Sequence, residues 1–130
     1  MEKIARGALM GARGNSGFLL SQFLEGMHLS MDAKEAIGVD DMAEAISEGA
    51  QKARAALSKP KEGTILTVAD GAAKGAKESI RGGEERFAVL MEYIVQEAEK
   101  SLDRTPMLLT QLKEAGVVDA GGAGLLVMFM

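Results

Sequence analysis

The chain has 130 residues, with 15 Lys and Arg against 19 Asp and Glu, a formal net charge of -4 and 47% apolar residues. One domain is the natural prior at this length, and the lack of cysteine excludes a disulfide scaffold or a thiolate metal site. The mild acidic excess argues against nucleic acid, whose phosphates want clustered Lys and Arg, and no apolar run reaches the roughly 18 residues of a membrane span.

Sixteen glycines stand against two prolines, and only 4% of residues are aromatic. A chain poor in aromatic and β-branched residues but rich in Ala, Leu and Met favours helix. Its glycines then mark turns, close helix contacts or ligand loops. The opening Met1-Glu2-Lys3-Ile4 does not form a signal peptide, so a cytoplasmic protein is expected.

In chain order, Glu2 to Ala12 reads as a helix, with Gly7 and Gly11 one turn apart. Arg13-Gly14-Asn15-Ser16-Gly17 interrupts it, and Phe18, Leu19, Leu20, Phe23, Leu24 and Met27 form a second helical run. Asp40 or Asp41 reads as an N-cap before the helical spacing of Met42, Ala45, Ile46, Ala50, Ala53 and Leu57. Ser58 to Gly63 is a turn. From Thr64 a helix carries Ile65, Val68, Ala69, Ala72, Ala73, Ala76 and Ile80 on one side, with Gly71 and Gly75 placed for a close neighbour.

Arg81-Gly82-Gly83 ends that helix, and Phe87, Leu90, Met91, Ile94, Val95, Ala98 and Leu102 make the next amphipathic stripe. Thr105-Pro106 reads as a helix start, Thr capping and Pro in the first helical position. Gly116 reads as the C′ glycine of that short helix. Asp119-Ala120-Gly121-Gly122 opens a last apolar helix. No segment alternates at period two, so the fold class is all-α, an antiparallel up-and-down array of about six helices. The chain begins in mid-pattern and stops inside the apolar run Leu125 to Met130. It is therefore expected to be a single, truncated domain.

Three glycine-rich helix starts could carry chemistry. At Arg13-Gly14-Asn15-Ser16-Gly17 the helix terminus presents unpaired N–H groups and a partial positive charge. The glycines admit a ligand to the backbone, Asn15 and Ser16 add side-chain donors, and Arg13 adds a charge, which together describe a phosphate cradle. It is not a Walker A loop, because no Gly-Lys-Ser/Thr follows. The bland alternative is a glycine-softened turn with a capping serine. Asp119-Ala120-Gly121 and Glu62-Gly63-Thr64 are the other two starts, and for Asp119 and Thr64 taken alone helix capping is the better explanation. Starts separated by an even number of helices lie at the same end of an antiparallel array, so a common site is expected there.

Other features carry less. His28 reads as a surface or packed residue, Asp70 has no evident partner, and Glu84, Glu85, Arg86, Glu97, Glu99 and Lys100 read as a solvated face. No metal constellation and no Ser–His–Asp set can be placed, and the catalytic residues are unknown.

The same three starts carry a family resemblance. Gly7 to Gly17 followed by Leu20-Ser21-Gln22, then Lys59-Pro60-Lys61-Glu62-Gly63-Thr64-Ile65-Leu66-Thr67-Val68, then Thr105-Pro106 and Leu112 to Gly122 resemble the nucleotide-binding domain of the dihydroxyacetone kinase family. The similarity is greatest to its bacterial fatty-acid-kinase-like branch. The resemblance implies a barrel of about eight antiparallel helices when complete. It implies ATP or ADP with phosphates at Asn15-Ser16-Gly17, with Asp119, Ala120, Gly121 and Thr64 at the same rim. It implies transfer of the γ-phosphoryl group to dihydroxyacetone or to a fatty-acid carboxylate presented by a lipid-binding protein, with Mg2+ bridging the phosphates. That family holds magnesium with aspartates ahead of its first motif, and Asp40 and Asp41 do not match them. The metal ligands are thus expected outside this chain, and the chain alone is expected to be a weak or inactive kinase that self-associates through uncovered apolar faces. The alternatives are a non-catalytic nucleotide-binding module and a plain helical interaction domain.

Overall fold

The computed structural model describes residues 15–32 and 34–130, with side chains from Gly17 onward. The expected helix at Glu2–Ala12, with Gly7 and Gly11, lies outside the described residues, as do Arg13 and Gly14. The described chain forms six helices and no strand: α1 (Asn15–Met31), α2 (Val39–Ala55), α3 (Ile65–Arg81), α4 (Phe87–Leu108), α5 (Thr110–Ala115) and α6 (Ala120–Phe129). The expected all-α bundle is what forms.

Helix α3 is central and packs against α1, α2, α4 and α6. Its sequence explains the placement, because small and branched residues cover all of it but one stripe, where Asp70, Lys74, Lys77, Glu78 and Arg81 are exposed. Ile65, Leu66, Val68, Ala69, Ala72, Ala73 and Ala76 are all buried. Two interfaces are glycine-tight. A Cβ on Gly71 would stand 2.8 Å from Ser101 Cβ and 2.9 Å from the Glu97 carbonyl, and one on Gly75 would stand 2.6 Å from the Tyr93 carbonyl. Between α1 and α2, Gly26 and Gly49 face each other, with the Gly26 Cβ position 2.8 Å from Gly49 Cα. Phe23 of α1 meets Phe129 of α6 edge to face, with ring centroids 5.9 Å apart, closing the core on that side.

Several local expectations need correction. Helix α2 is capped by Gly38 and not by Asp40 or Asp41. Asp41 sits one turn in and reaches back, its Oδ2 accepting the Gly38 N–H at 2.9 Å while Oδ1 takes Lys34 Nζ at 2.8 Å. The aspartate therefore serves the cap from the N3 position, as in one half of a capping box.

Thr105-Pro106 does not start a helix. Helix α4 runs through both residues and ends at Leu108. Proline inside a helix removes the N–H that would bond the carbonyl four residues back, here that of Leu102. The Thr105 hydroxyl donates to that carbonyl at 2.7 Å, which lets the helix continue.

Asp70 has a partner after all, the Arg54 guanidinium of α2. Glu84 and Glu97 are not freely solvated: their side chains keep 20% and 18% of their exposure, and Glu97 lies against Gly75. His28 is at the surface, 3.8 Å from Asp32, and Gly116 closes α5 in the left-handed conformation at φ 70°.

Candidate functional site

In an up-and-down order the starts of α1 and α3 point to one end, and the structure brings the start of α6 to the same cavity although α6 follows α3 by an odd number of helices. A cavity of about 250 Å³ there is lined by Leu19 of α1, by Leu57, Ser58, Lys59 and Lys61 of the α2–α3 loop, by Thr64 and Ile65, and by Asp119. Thr64 and Asp119, two of the residues singled out from the sequence, thus line one cavity. The backbone of Asn15 and Ser16 opens α1 at this end, and Gly17 is half-buried in its first turn. Gly121 is half-buried and Ala120 exposed, both in the first turn of α6.

Each start is built by its own sequence. Thr64 is the N-cap of α3: its Oγ1 accepts the Leu66 N–H at 3.3 Å and donates to the Lys61 carbonyl at 2.8 Å. Asp119 is the N-cap of α6, its Oδ2 accepting the Gly122 N–H at 2.8 Å. Gly122 admits α6 closely, since a Cβ there would stand 2.7 Å from Val68 Cγ2. Capping and ligand binding are compatible in both cases, because a cap satisfies one orphan N–H and leaves the rest of the first turn pointing outward.

The loop ahead of α3 is held from below. Gly63 takes φ 79°, and a Cβ there would stand 2.7 Å from Leu109 Cβ and 2.9 Å from the Thr105 carbonyl. Its N–H donates to Thr67 Oγ1 at 2.8 Å, and that hydroxyl donates to Glu62 Oε2 at 2.8 Å. Arg54 reaches from α2 to Glu62 Oε1 at 2.8 Å and to Asp70. Burial pushes the Glu62 carboxyl up, but the Thr67 hydroxyl and the Arg54 guanidinium overcome this and hold it below its ordinary value. At Asp70 burial prevails over the pull of Arg54, and its carboxyl is raised.

Electrostatically the cavity is cationic. Lys59 and Lys61 line it with no carboxylate within ion-pair distance among the described residues, and Asp119 is its one carboxylate. The sequence reading quoted both lysines within a motif but gave neither a role. Their relevance lies in their position opposite Asp119, some 60 residues further along the chain, which no local signal shows.

A larger groove, about 820 Å³, runs between α3 and α4. Its walls carry Glu62, Asp70, Glu97 and Asp103 beside Lys74, Lys100 and Arg104. Four carboxylates against three cations suit an anion poorly. The smaller, lysine-lined cavity is the better candidate for phosphate.

Comparison with known proteins bears on which ligand this is. The family model described as the DAK2 domain matches residues 1–130, the whole chain. Similar proteins include an uncharacterized protein of Staphylococcus epidermidis, 46% identical over 125 residues, and uncharacterized proteins of Staphylococcus aureus and Staphylococcus haemolyticus, each 47% identical over 125 residues. Each match covers 96% of this chain but only 22–23% of the relative. The chain therefore spans about a quarter or less of the length of these relatives.

Proposed function

The chain belongs to the DAK2 domain family, whose domain is associated with nucleotide binding, and from that premise we propose that the cavity at the shared helix starts receives the phosphates of ATP or ADP. The observation that carries the reading is the meeting of the Thr64 and Asp119 caps with Lys59 and Lys61 around one cavity. Helix starts offer N–H donors and partial positive charge, and lysine supplies full charge, so each component favours an anion. Whole small-molecule sites occupy roughly 300–1,000 Å³, so a cavity of about 250 Å³ matches the polyphosphate end of a nucleotide rather than the whole molecule. Asn15, Ser16 and Gly17 complete the cradle from α1, with Arg13 and Gly14 ahead of them. Ala120 and Gly121 flank the phosphates from α6.

The described carboxylates do not make a seat for magnesium. Among the described residues, Asp119 is the only carboxylate lining the cavity, its Oδ2 is held by the Gly122 N–H, and no cluster of three metal-ligating side chains occurs. In this reading the lysines and N–H groups bind and orient the phosphates, and the magnesium ligands lie elsewhere. The whole protein is a kinase that transfers the γ-phosphoryl group to a hydroxyl of dihydroxyacetone or to a fatty-acid carboxylate brought by a lipid-binding partner. This chain alone turns over weakly or not at all.

Calorimetric titration with ADP tests the site. Saturable binding is expected, weakened about tenfold or more by Lys61→Glu and by Ser16→Ala, since one lost charge-assisted contact is worth roughly 1.5–3 kcal/mol. Binding that none of these changes alters, or no binding, would overturn the reading.

A further inference from the structure

We propose that Thr105 is a positioning residue of the nucleotide site, its buried hydroxyl latching the start of α6 to the end of α4 and so fixing where the first-turn N–H groups of α6 point. This rests on the nucleotide reading above. Thr105 is fully buried. Its hydroxyl makes two bonds with opposite roles: it donates to the Leu102 carbonyl at 2.7 Å and accepts the Asp119 N–H at 3.1 Å.

The first bond answers Pro106, which has no N–H to offer that carbonyl. Because the single hydroxyl proton is committed there, its lone pairs are oriented, and the Asp119 N–H finds an acceptor in a defined direction. Asp119 then caps α6 through Oδ2 while its backbone is tied to α4.

The same residue borders the other wall of the site. The Thr105 carbonyl accepts the Leu109 N–H at 3.1 Å and stands 2.9 Å from where a Gly63 Cβ would be, under the loop that carries Lys59 and Lys61. Thr105 thus lies between the loop and the α6 start, so a displacement there changes the spacing of the two cavity walls. The Thr-Pro pair works as a unit. Proline frees a carbonyl, the carbonyl orients the hydroxyl, and the hydroxyl holds Asp119.

Four forms of the full chain separate this role from a merely structural one: the unaltered protein, Thr105→Ser, Thr105→Val, and Thr105→Val combined with Pro106→Ala. Valine keeps the shape but leaves both Leu102 C=O and Asp119 N–H unpaired. Adding Pro106→Ala restores an N–H for the Leu102 carbonyl, so the part of the stability lost there returns while the Asp119 N–H stays unlatched. Each form is unfolded with urea and titrated with ADP. The expected result is that Thr105→Ser binds within about threefold of the unaltered protein, while Thr105→Val binds about tenfold or more weakly. The double variant regains that part of the stability without regaining affinity.

Should the double variant bind ADP as the unaltered protein does, Thr105 is structural only and the proposal falls. It decides the matter even if Thr105→Val alone does not fold. If the unaltered protein itself does not bind ADP, the nucleotide reading falls, and the role of Thr105 falls with it. Failure of the latch proposal alone leaves ADP binding by the unaltered protein intact, so the two failures are told apart.

Discussion

The middle and the start of α3 are held by different physics. At its middle, Gly71 and Gly75 bring α3 against α4 so closely that a methyl group has no room. At its start the chain turns through Gly63, and hydroxyls and carboxylates hold the backbone: Thr64, Thr67 and Glu62 each make at least one such bond. The first region is tight, and the groove beside it sets four carboxylates against three cations. The second uses side chains to satisfy the turn, and among the described residues no carboxylate lies within ion-pair distance of Lys59 or Lys61 beside it.

The sharpest way to break this comparison is Gly71→Ala. Its Cβ would meet the Ser101 side chain and the Glu97 backbone, and backbone cannot swing aside. Overpacking costs typically 1–3 kcal/mol, and here a loss of about 3 kcal/mol or more is expected in urea unfolding. A loss below about 0.5 kcal/mol would show that the two helices separate easily.

Asp119→Ala probes the other region and should cost about 1 kcal/mol, the usual value of a lost N-cap. ADP affinity should fall further than that stability change explains. Equal losses of stability and affinity would reduce Asp119 to a cap.

The smallest effect is electrostatic. The folded Glu62 carboxyl lies below its ordinary value of 4.5, so its pairing stabilises the protein above that pH and the contribution fades as pH falls through the folded value. Glu62 is half-exposed, which keeps the contribution below about 1 kcal/mol. The stability difference between the protein and Glu62→Gln should be largest near neutrality and shrink in acid. A difference independent of pH would assign Glu62 a packing role only.

These contrasts also show what the sequence could tell. The helices with a clear stripe were legible, α3 above all, because Ile65, Val68, Ala72 and Ala76 recur at helical spacing and are buried. So were the caps at Thr64 and Asp119, since a short polar side chain before an apolar run has one economical use. Thr105-Pro106 was misread because the same dipeptide has two solutions. At a helix start the missing proline N–H costs nothing, and within a helix the threonine hydroxyl can replace it. Only the packing of Asp119 against Thr105, 14 residues away, selects the second.

Arg54 and Asp70 were invisible as a pair because 16 residues and a turn separate them. Asp40 and Asp41 are better capping residues by type than Gly38, but both already lie inside the first turn of α2. The cavity itself was legible only as the expectation that alternate helix starts share an end.

Amide chemical shifts followed during titration with ADP test the central claim most directly. The account predicts that the largest changes fall at Gly17, Lys61, Thr64, Leu66 and Asp119 to Gly122, all at the shared helix starts. Changes concentrated instead along the α3–α4 groove, at Gly71, Lys74, Ser101 and Arg104, would contradict it.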